Sequence, residues 1–291
     1  MDIGKIGLWA FLDAVPAAES QAAAREIEDL GFGALWIPEA VGREIFTSSA
    51  ILLAGTRRLV IATGIANVWA RDAMAMANAQ RTLCEAYPDR FLLGMGVSHQ
   101  PMVSTIRGHN YDKPLTYMRG YLDAMDKSIF AGAAPSSEPR RVLAALHPKM
   151  LRLARERSWG SHPYFVTPEH TARAREALGE GKLLAPEQAV LLETDPEKAR
   201  AIARQHMAIY IGLPNYRRNV LSLGFDDSDF ENGGSDRLVD AIVAWGDIDV
   251  IRKRVRAHQA AGADHVCLQA LTADMREIPR DQWRALAQGL L

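Results

Sequence analysis

Short apolar runs alternate with longer amphipathic stretches along almost the whole chain. Short apolar runs bounded by turn-forming residues predict buried β-strands, and apolar residues three or four positions apart predict helices. The predicted strands cover residues 6–10, 34–38, 59–65, 91–97, 141–146, 164–166, 189–193 and 265–269. The predicted helices cover residues 17–30, 48–56, 73–87, 115–130, 149–157, 168–178, 196–211 with further helix to about 223, 238–244, 249–261 and 282–288.

This order makes eight strand–helix units in a chain of 291 residues. The number of units fits a (β/α)8 barrel, which takes about 250 residues plus insertions. The strands are nearly all apolar, as parallel strands covered on both faces should be. An open, doubly wound sheet has the same alternation and is the structural alternative, although eight units are many for one open sheet. We therefore predict an α/β protein with a TIM barrel in one domain, residues 1–291, and loops at 131–139 and 226–235.

The charge balance and the cysteine content exclude several classes of protein. Lys and Arg number 34 and Asp and Glu number 35, which gives a net charge of −1 and argues against a nucleic-acid partner. No apolar run approaches the roughly 20 residues that a membrane helix needs, and the chain enters a strand at once, without a visible signal peptide. Two cysteines, Cys84 and Cys267, make a disulfide framework or a cysteine zinc site improbable. We expect a cytoplasmic protein without a membrane or nucleic-acid partner.

The carboxyl ends of the strands form the active site of a TIM barrel, so polar residues there are candidates. Glu39 follows the second strand and is a possible acid, base or hydrogen-bond partner; the alternative is a solvated loop glutamate. Gly64 ends the third strand before Asn67, and a glycine there suggests a close backbone approach to a ligand or a simple barrel corner. Trp9 and Gln269 end the first and eighth strands, and His162 precedes the predicted sixth strand, which makes it a weaker candidate.

The fourth strand ends in Gly94-Met95-Gly96-Val97-Ser98-His99. The run lacks the third glycine of a dinucleotide fingerprint, and the chain has no phosphate loop of the Walker type and no G-x-S-x-G nucleophile motif. The two glycines would let the backbone pass close to a flat ligand. His99 titrates near neutral pH and is the best general acid or base of the set, with a structural histidine as the alternative.

The fifth strand turns into a helix at His147-Pro148-Lys149. Free amides at a helix N-terminus bind anions, and the Lys149 ammonium adds positive charge. The turn is thus a candidate phosphate site, and an ordinary loop with a surface lysine is the alternative. No histidine pair has the spacing of a metal site, so we expect no bound metal.

The order and spacing of several segments resemble the luciferase-like flavin and deazaflavin oxidoreductases, over most of the chain. The segments are Gly31-Phe32-Gly33-Ala34-Leu35-Trp36-Ile37-Pro38-Glu39, Ala62-Thr63-Gly64-Ile65-Ala66-Asn67, Pro88-Asp89-Arg90-Phe91-Leu92-Leu93-Gly94-Met95-Gly96-Val97 and Ala261-Gly262-Ala263-Asp264-His265-Val266. Val97-Ser98-His99, His162-Pro163-Tyr164 and Leu213-Pro214-Asn215-Tyr216 resemble an actinobacterial subgroup that uses coenzyme F420, a 5-deazaflavin.

The resemblance implies a cofactor ring at the carboxyl mouth of the barrel. It implies a non-proline cis peptide bond at Gly64–Ile65 behind that ring, and a homodimer. The implied cofactor contacts are Gly64, Ile65, Ala66, Asn67, Val97 and Ser98 at the ring, and Leu146, His147, Lys149 and Met150 at the phosphate.

The chain departs from the family at two acid–base positions. Several deazaflavin dehydrogenases have Asp-His after the second strand, where this chain has Glu39-Ala40, and many have a glutamate where this chain has His99. We predict hydride transfer between coenzyme F420 and a small organic substrate, with His99 handling the proton and Glu39 binding or polarising the substrate. The alternatives are an FMN-dependent monooxygenase of the same fold and a non-catalytic protein that binds the cofactor.

Overall fold

The computed structural model describes residues 1–274 and 276–291. Eleven strands alternate with helices along these residues. The strands are β1 (Ile6–Trp9), β2 (Ala34–Ile37), β3 (Val60–Thr63), β4 (Ala66–Asn67), β5 (Phe91–Gly96), β6 (Arg141–Leu143), β7 (Gly160–Ser161), β8 (Leu183–Leu184), β9 (Glu187–Leu191), β10 (Val243–Trp245) and β11 (Val266–Ala270). The helices are α1 (Ala17–Asp29), α2 (Ile45–Gly55), α3 (Ala73–Ala86), α4 (Pro114–Asp126), α5 (Pro148–Arg157), α6 (Pro168–Leu178), α7 (Pro196–Met207), α8 (Pro214–Ser222), α9 (Asp236–Ile242), α10 (Ile248–Ala260) and α11 (Arg280–Leu290).

Every strand pairing in the sheet is parallel, in the order β10-β9-β11-β1-β2-β3-β5-β6-β7-β8, with β4 also on β5. β8 continues through Pro186 into β9, which pairs with β11. The amides of Asp264 and His265 also donate to the Leu184 carbonyl, at 2.9 and 3.4 Å. The continuous β8–β9 segment therefore closes the sheet on itself, which makes it the predicted TIM barrel.

Neighbouring residues of each strand face opposite sides of the barrel wall. In β2, Ala34 and Trp36 belong to the inner apolar cluster, whereas Leu35 and Ile37 pack outward against the helices. The inner cluster draws residues from strands all round the barrel, with Trp36 fully buried among them. Helix N-termini are fixed locally, because Asp72, Asp195 and Asp247 accept hydrogen bonds from amides of the first turn.

The sixth strand is not where the sequence placed it. Tyr164-Phe165-Val166 has high β-propensity, but Phe165 has a φ of 59°, which breaks an extended run. The strand is instead β7, at Gly160 and Ser161. A Cβ at Gly160 would lie 1.9 Å from the Leu183 carbonyl oxygen, so the close pairing with β8 requires glycine. His162 therefore follows the sixth strand of the barrel, and the prediction that it precedes that strand is wrong.

Three other segments differ from the prediction. Residues 243 and 244, predicted as the end of the helix 238–244, belong to β10 instead, because the chain pairs with β9 there. A π-helix, Pro101–Ile106, directly follows His99 and Gln100. A 3₁₀ segment, Asp227–Gly233, occupies most of the predicted loop at 226–235. Within the described ranges, no helix has the length and apolarity needed to cross a membrane.

Candidate functional site

The candidate residues gather at one end of the barrel because all its strands are parallel. Trp9 ends β1, Asn67 ends β4, and Gln269 lies near the end of β11. The other candidates follow the ends of β2, β5, β6 and β7: Glu39, Val97, Ser98, His99, Leu146, His147, Lys149, Met150 and His162. The candidates that the sequence indicated therefore lie together at the carboxyl end of the barrel.

The wall between β3 and β4 is interrupted at Gly64 and Ile65. The peptide bond between them is cis. Trp9 Nε1 donates to the Gly64 carbonyl at 3.1 Å, which ties the end of β1 to this break. A Cβ at Gly94 would lie 1.9 Å from the Thr63 carbonyl oxygen. Gly94 thus makes room for β3 rather than for a flat ligand, which corrects the reason the sequence suggested for this glycine.

Glu39 is engaged by protein groups on both oxygens. Its Oε2 accepts from the Asn67 amide at 2.7 Å, and Arg71 bonds to both carboxylate oxygens. The Glu39 side chain is 5% exposed and that of Arg71 12% exposed, so the pair is almost buried. Arg71 also bonds to Glu44 at 3.1 Å. The structure gives Glu39 the contacts of a group that holds β4 in place.

His99 lies at the mouth, and one of its ring nitrogens already has a hydrogen-bond partner. Its Nδ1 lies 3.1 Å from Asn215 Oδ1, and its ring centroid lies 5.0 Å from that of Tyr216. Burial lowers the pKa of His99, and the hydrogen bond to Asn215 partly opposes this shift. Asn215 and Tyr216 lie in the first turn of α8, so this helix covers the His99 side of the mouth. Sequence reasoning noted Asn215 only as part of a resemblance.

The N-terminus of α5 is open toward the mouth. His147 is the N-cap residue but its side chain makes no capping bond, and its buried Nε2 has no partner among the described residues. Lys149 is exposed, and no described carboxylate forms an ion pair with it. His170 Nε2 lies 2.8 Å from the Leu146 carbonyl and fixes the preceding backbone. The turn has the amide, the imidazole and the ammonium that a phosphate group requires.

Several buried polar atoms near this mouth lack partners within the described residues. They include Asn67 Nδ2, His162 Nε2 and Asn219 Nδ2. His162 donates from Nδ1 to the Ala185 carbonyl at 2.7 Å and stacks on Trp36 with 4.2 Å between ring centroids. Its Nε2 is therefore a free acceptor. Because buried polar groups are normally satisfied, this set fits a polar, flat cofactor with a phosphate at α5.

A second polar group lies where β1 and β11 end. The Tyr164 hydroxyl lies 2.7 Å from Gln269 Oε1 and 2.9 Å from the Tyr210 hydroxyl. Below it, Glu187 accepts from the Phe165 amide at 3.1 Å through Oε2, and its buried Oε1 has no described partner. Burial raises the pKa of Glu187 to about 8, so it carries a proton at neutral pH. The sequence analysis noted Tyr164 only as part of a resemblance, and it missed Tyr210 and Glu187, which no motif marks.

A large cavity lies at the other end of the barrel. It measures about 860 Å³ and is lined by residues before β1, β2 and β3 and by α10, including Lys5, Glu28, Arg58 and Arg256. Chemistry in a TIM barrel takes place at the carboxyl ends of the strands, so cavity size alone does not identify the site.

Known proteins are similar to this chain over almost its whole length. A protein of Mycobacterium tuberculosis, named "Putative coenzyme F420-dependent oxidoreductase Rv3520c", is 28% identical over 95% of this chain and 96% of its own. An F420-dependent secondary alcohol dehydrogenase solved with an F420–acetone adduct has a TM-score of 0.78 at 15% identity, covering 99% and 98% of the two chains. The oxygenating constituent of 3,6-diketocamphane monooxygenase from Pseudomonas putida, solved with FMN, has a TM-score of 0.73 at 15% identity and covers 99% and 98%.

Residues 6–265 match the family described as luciferase-like monooxygenases, which is most of the chain. The matched range includes the candidate residues Trp9, Glu39, Asn67, His99 and His147. The chain therefore belongs to the luciferase-like monooxygenase family.

Proposed function

We propose that this protein is a coenzyme F420-dependent oxidoreductase that transfers hydride between the deazaflavin and a small organic substrate. The observation that carries the choice of cofactor is the full-length similarity to the M. tuberculosis protein named for F420. The mouth supports it, because a flat ring and a phosphate would satisfy the partnerless polar atoms there. The FMN-bound neighbour keeps FMN as the alternative cofactor.

The residues that would hold the cofactor are those of the two regions described above. Gly64, Ile65, Ala66 and Asn67, with Val97 and Ser98, would line the ring. Leu146, His147, Lys149 and Met150 would hold the phosphate at the N-terminus of α5. A bound deazaflavin supplies a two-electron hydride carrier, and the protein supplies binding, orientation and electrostatics.

We assign proton handling to His99. An amide oxygen only accepts, so Asn215 Oδ1 accepts a hydrogen bond from the N–H at His99 Nδ1, and His99 Nε2 is left as an acceptor. A lowered pKa keeps the ring neutral at pH 7 and ready to act as a base. When a substrate hydroxyl is oxidised, its carbon gives up hydride and its oxygen gives its proton to His99 Nε2; the reverse direction returns both.

Glu39 takes a different role in this proposal from the one that the sequence suggested. Its two oxygens already bind Arg71 and the Asn67 amide, so they are not free to polarise a substrate. We infer that Glu39 is a positioning residue, which sets the β4 backbone beside the ring.

The first experiment is a titration of the apoprotein with coenzyme F420 and, separately, with FMN, followed by ligand fluorescence. Micromolar binding of F420 alone supports the proposal, and preference for FMN supports the monooxygenase alternative. Replacement His99→Asn should leave F420 affinity within about twofold and reduce turnover by about 10²–10⁴-fold. Unchanged turnover would contradict the assignment of His99. Absence of any turnover would favour the non-catalytic alternative.

Two further parts of the proposal concern the oligomeric state of the protein and its location in the cell. We propose a homodimer, which light scattering at micromolar concentration tests directly. We also propose a cytoplasmic location, where the free cysteines Cys84 and Cys267 would stay reduced.

A further inference from the structure

A small cavity opens at the carboxyl end of the barrel, beside the candidate cofactor site. Its volume is about 70 Å³. We call it the β1–β11 cavity, because residues after these two strands form most of its wall and the end of α7 closes it. The lining residues are Trp9, Ala10, Phe11, Ile202, His206, Ile209, Tyr210, Gln269, Ala270, Leu271, Thr272, Glu277 and Pro279.

Gln269 presents a fixed hydrogen-bond donor to this cavity. The Tyr164 hydroxyl donates to Gln269 Oε1 at 2.7 Å, and Tyr210 lies next to Tyr164 at 2.9 Å. With the amide oxygen on Tyr164, the amide nitrogen of Gln269 is turned away from this tyrosine. The Gln269 amide nitrogen has no hydrogen-bond partner among the described residues, so its two N–H groups are available to a ligand.

His206 adds a second polar group. Its side chain is more than nine-tenths buried in α7, lines the cavity, and has an Nε2 without a partner in the described part of the chain. Burial lowers the pKa of His206 to about 4, so the ring is neutral at pH 7. A buried, neutral imidazole whose Nε2 has no hydrogen-bond partner suits an uncharged ligand that can form a hydrogen bond with it.

Most of the remaining lining is apolar or aromatic, Thr272 adds a hydroxyl group, and no described lining residue carries a positive charge. The rings of Trp9 and Phe11 meet edge to face at 4.9 Å, and Ile202, Ile209 and Leu271 complete the wall. Glu277 is the one charged residue of the lining. A carboxylate or phosphate would lose its hydration here without gaining a countercharge, so the cavity disfavours anions.

The cavity and the candidate cofactor site share a wall. Trp9 lines the cavity and also donates to the Gly64 carbonyl. His99 lies further across the mouth. Its ring centroid is 5.0 Å from that of Tyr216, and the Tyr216 ring centroid is 6.3 Å from that of Tyr164. A molecule that reached both His99 and the cavity would put its reacting end at His99.

We propose that the β1–β11 cavity is a specificity pocket for a small, uncharged apolar group bearing one carbonyl or hydroxyl oxygen, which Gln269 and His206 bind. As the pocket of a substrate, it rests on the proposed function. It selects against anionic substrates such as carboxylic acids and sugar phosphates.

The test uses protein in which the isoleucine and leucine methyl groups are ¹³C-labelled. Small-molecule probes are titrated into it, and the methyl signals are recorded by NMR. The probes are butan-2-ol and butan-2-one, and propanoate is the anion of similar size. The two neutral probes should shift the methyl signals of Ile202, Ile209 and Leu271. Propanoate should bind these residues at least tenfold more weakly.

Two variants with the same chemical change separate the cavity from general effects. Gln269→Leu removes the amide donor and should weaken butan-2-one binding about three- to tenfold. Gln259→Leu makes this change at the opposite end of the barrel and should leave binding unchanged. Both variants should bind F420 within twofold of the natural protein, since neither residue lies at the ring or phosphate positions.

The outcomes distinguish the two proposals. Equal binding of propanoate, shifts confined to methyl groups elsewhere, or no effect of Gln269→Leu would overturn the specificity pocket even if F420 binds. Selective shifts of the cavity methyl groups in a protein that binds no F420 would support the pocket and overturn the proposed function.

Discussion

The two ends of the barrel differ in how completely their polar groups are satisfied. The amino end has the cavity of about 860 Å³, yet the residues lining it include no buried side-chain atom that lacks a partner, within residues 1–274 and 276–291. Glu28 there accepts from three successive backbone amides, those of Arg57, Arg58 and Leu59. The carboxyl end has a cavity of only about 70 Å³ but several partnerless buried atoms. Unsatisfied polar atoms therefore identify the functional end better than cavity volume does.

Two histidines inside the barrel make this contrast at the level of single residues. His265, at the amino end, donates from Nδ1 to the Gly4 carbonyl at 2.9 Å and accepts from Trp36 Nε1 at 3.1 Å. His162, on the other side of Trp36, uses only Nδ1. Burial lowers the pKa of each to about 4, so both are neutral. Both ring nitrogens of His265 have protein partners, whereas Nε2 of His162 is available to a ligand.

The largest expected effect comes from the buried ion pair at the carboxyl end. Arg71→Met leaves the Glu39 carboxylate almost buried without its countercharge, and should lower the free energy of unfolding by about 3–5 kcal/mol. Arg157→Met removes more exposed ion pairs, with Asp123 and Asp126, and should cost about 1 kcal/mol or less. Urea denaturation measures both. Equal costs would mean that Glu39 is solvated, and its positioning role would be lost.

The histidine pair gives the next largest effect. His265→Leu leaves two buried groups unpaired, Trp36 Nε1 and the Gly4 carbonyl, whereas His162→Leu leaves only the Ala185 carbonyl. Each unpaired buried group costs about 1–3 kcal/mol, so His265→Leu should be the more destabilising variant by about that amount. F420 titration should show weaker binding only for His162→Leu. The reverse pattern would contradict the assignment of the two ends.

Glu187 predicts a pH dependence of stability. A carboxyl whose pKa is raised to about 8 by folding contributes stability below its ordinary pKa and loses it as the pH rises through 8. Between pH 7 and pH 9 the natural protein should lose about 1 kcal/mol more than Glu187→Gln does. The comparison avoids the buried histidines, which change charge mainly below pH 7. Parallel pH profiles for the two proteins would place the carboxyl in contact with water.

The smallest effect concerns exposed cations at the two ends. Lys149→Met should weaken F420 binding about fivefold and make it less sensitive to salt, because one charge near the phosphate is lost. Arg256→Met removes an exposed cation from the amino-end cavity and should change nothing. Fluorescence titration at two salt concentrations tests both, and equal effects would move the phosphate site away from α5.

The errors of the sequence analysis have a common physical cause. Residues 164–166 have the β-propensity of a strand, but the strand forms at Gly160, where only glycine lets β7 approach β8. Residues 243 and 244 continue a helical pattern, yet pairing with β9 makes them part of a strand. In both places contacts between segments distant in the chain override the local preference.

The sequence by itself determined the alternation of strands and helices, the barrel, and the end of it that carries the candidate residues. These follow from apolar periodicity and from the rule that parallel strands end together. Only the tertiary structure decided which candidates are free to act. Glu39 is bound by Arg71, 32 positions away, and His99 meets Asn215, 116 positions away. The Tyr164–Gln269 contact joins groups 105 positions apart. Hydrogen bonds depend on ångström-scale geometry between distant segments, and a periodic pattern contains no such information.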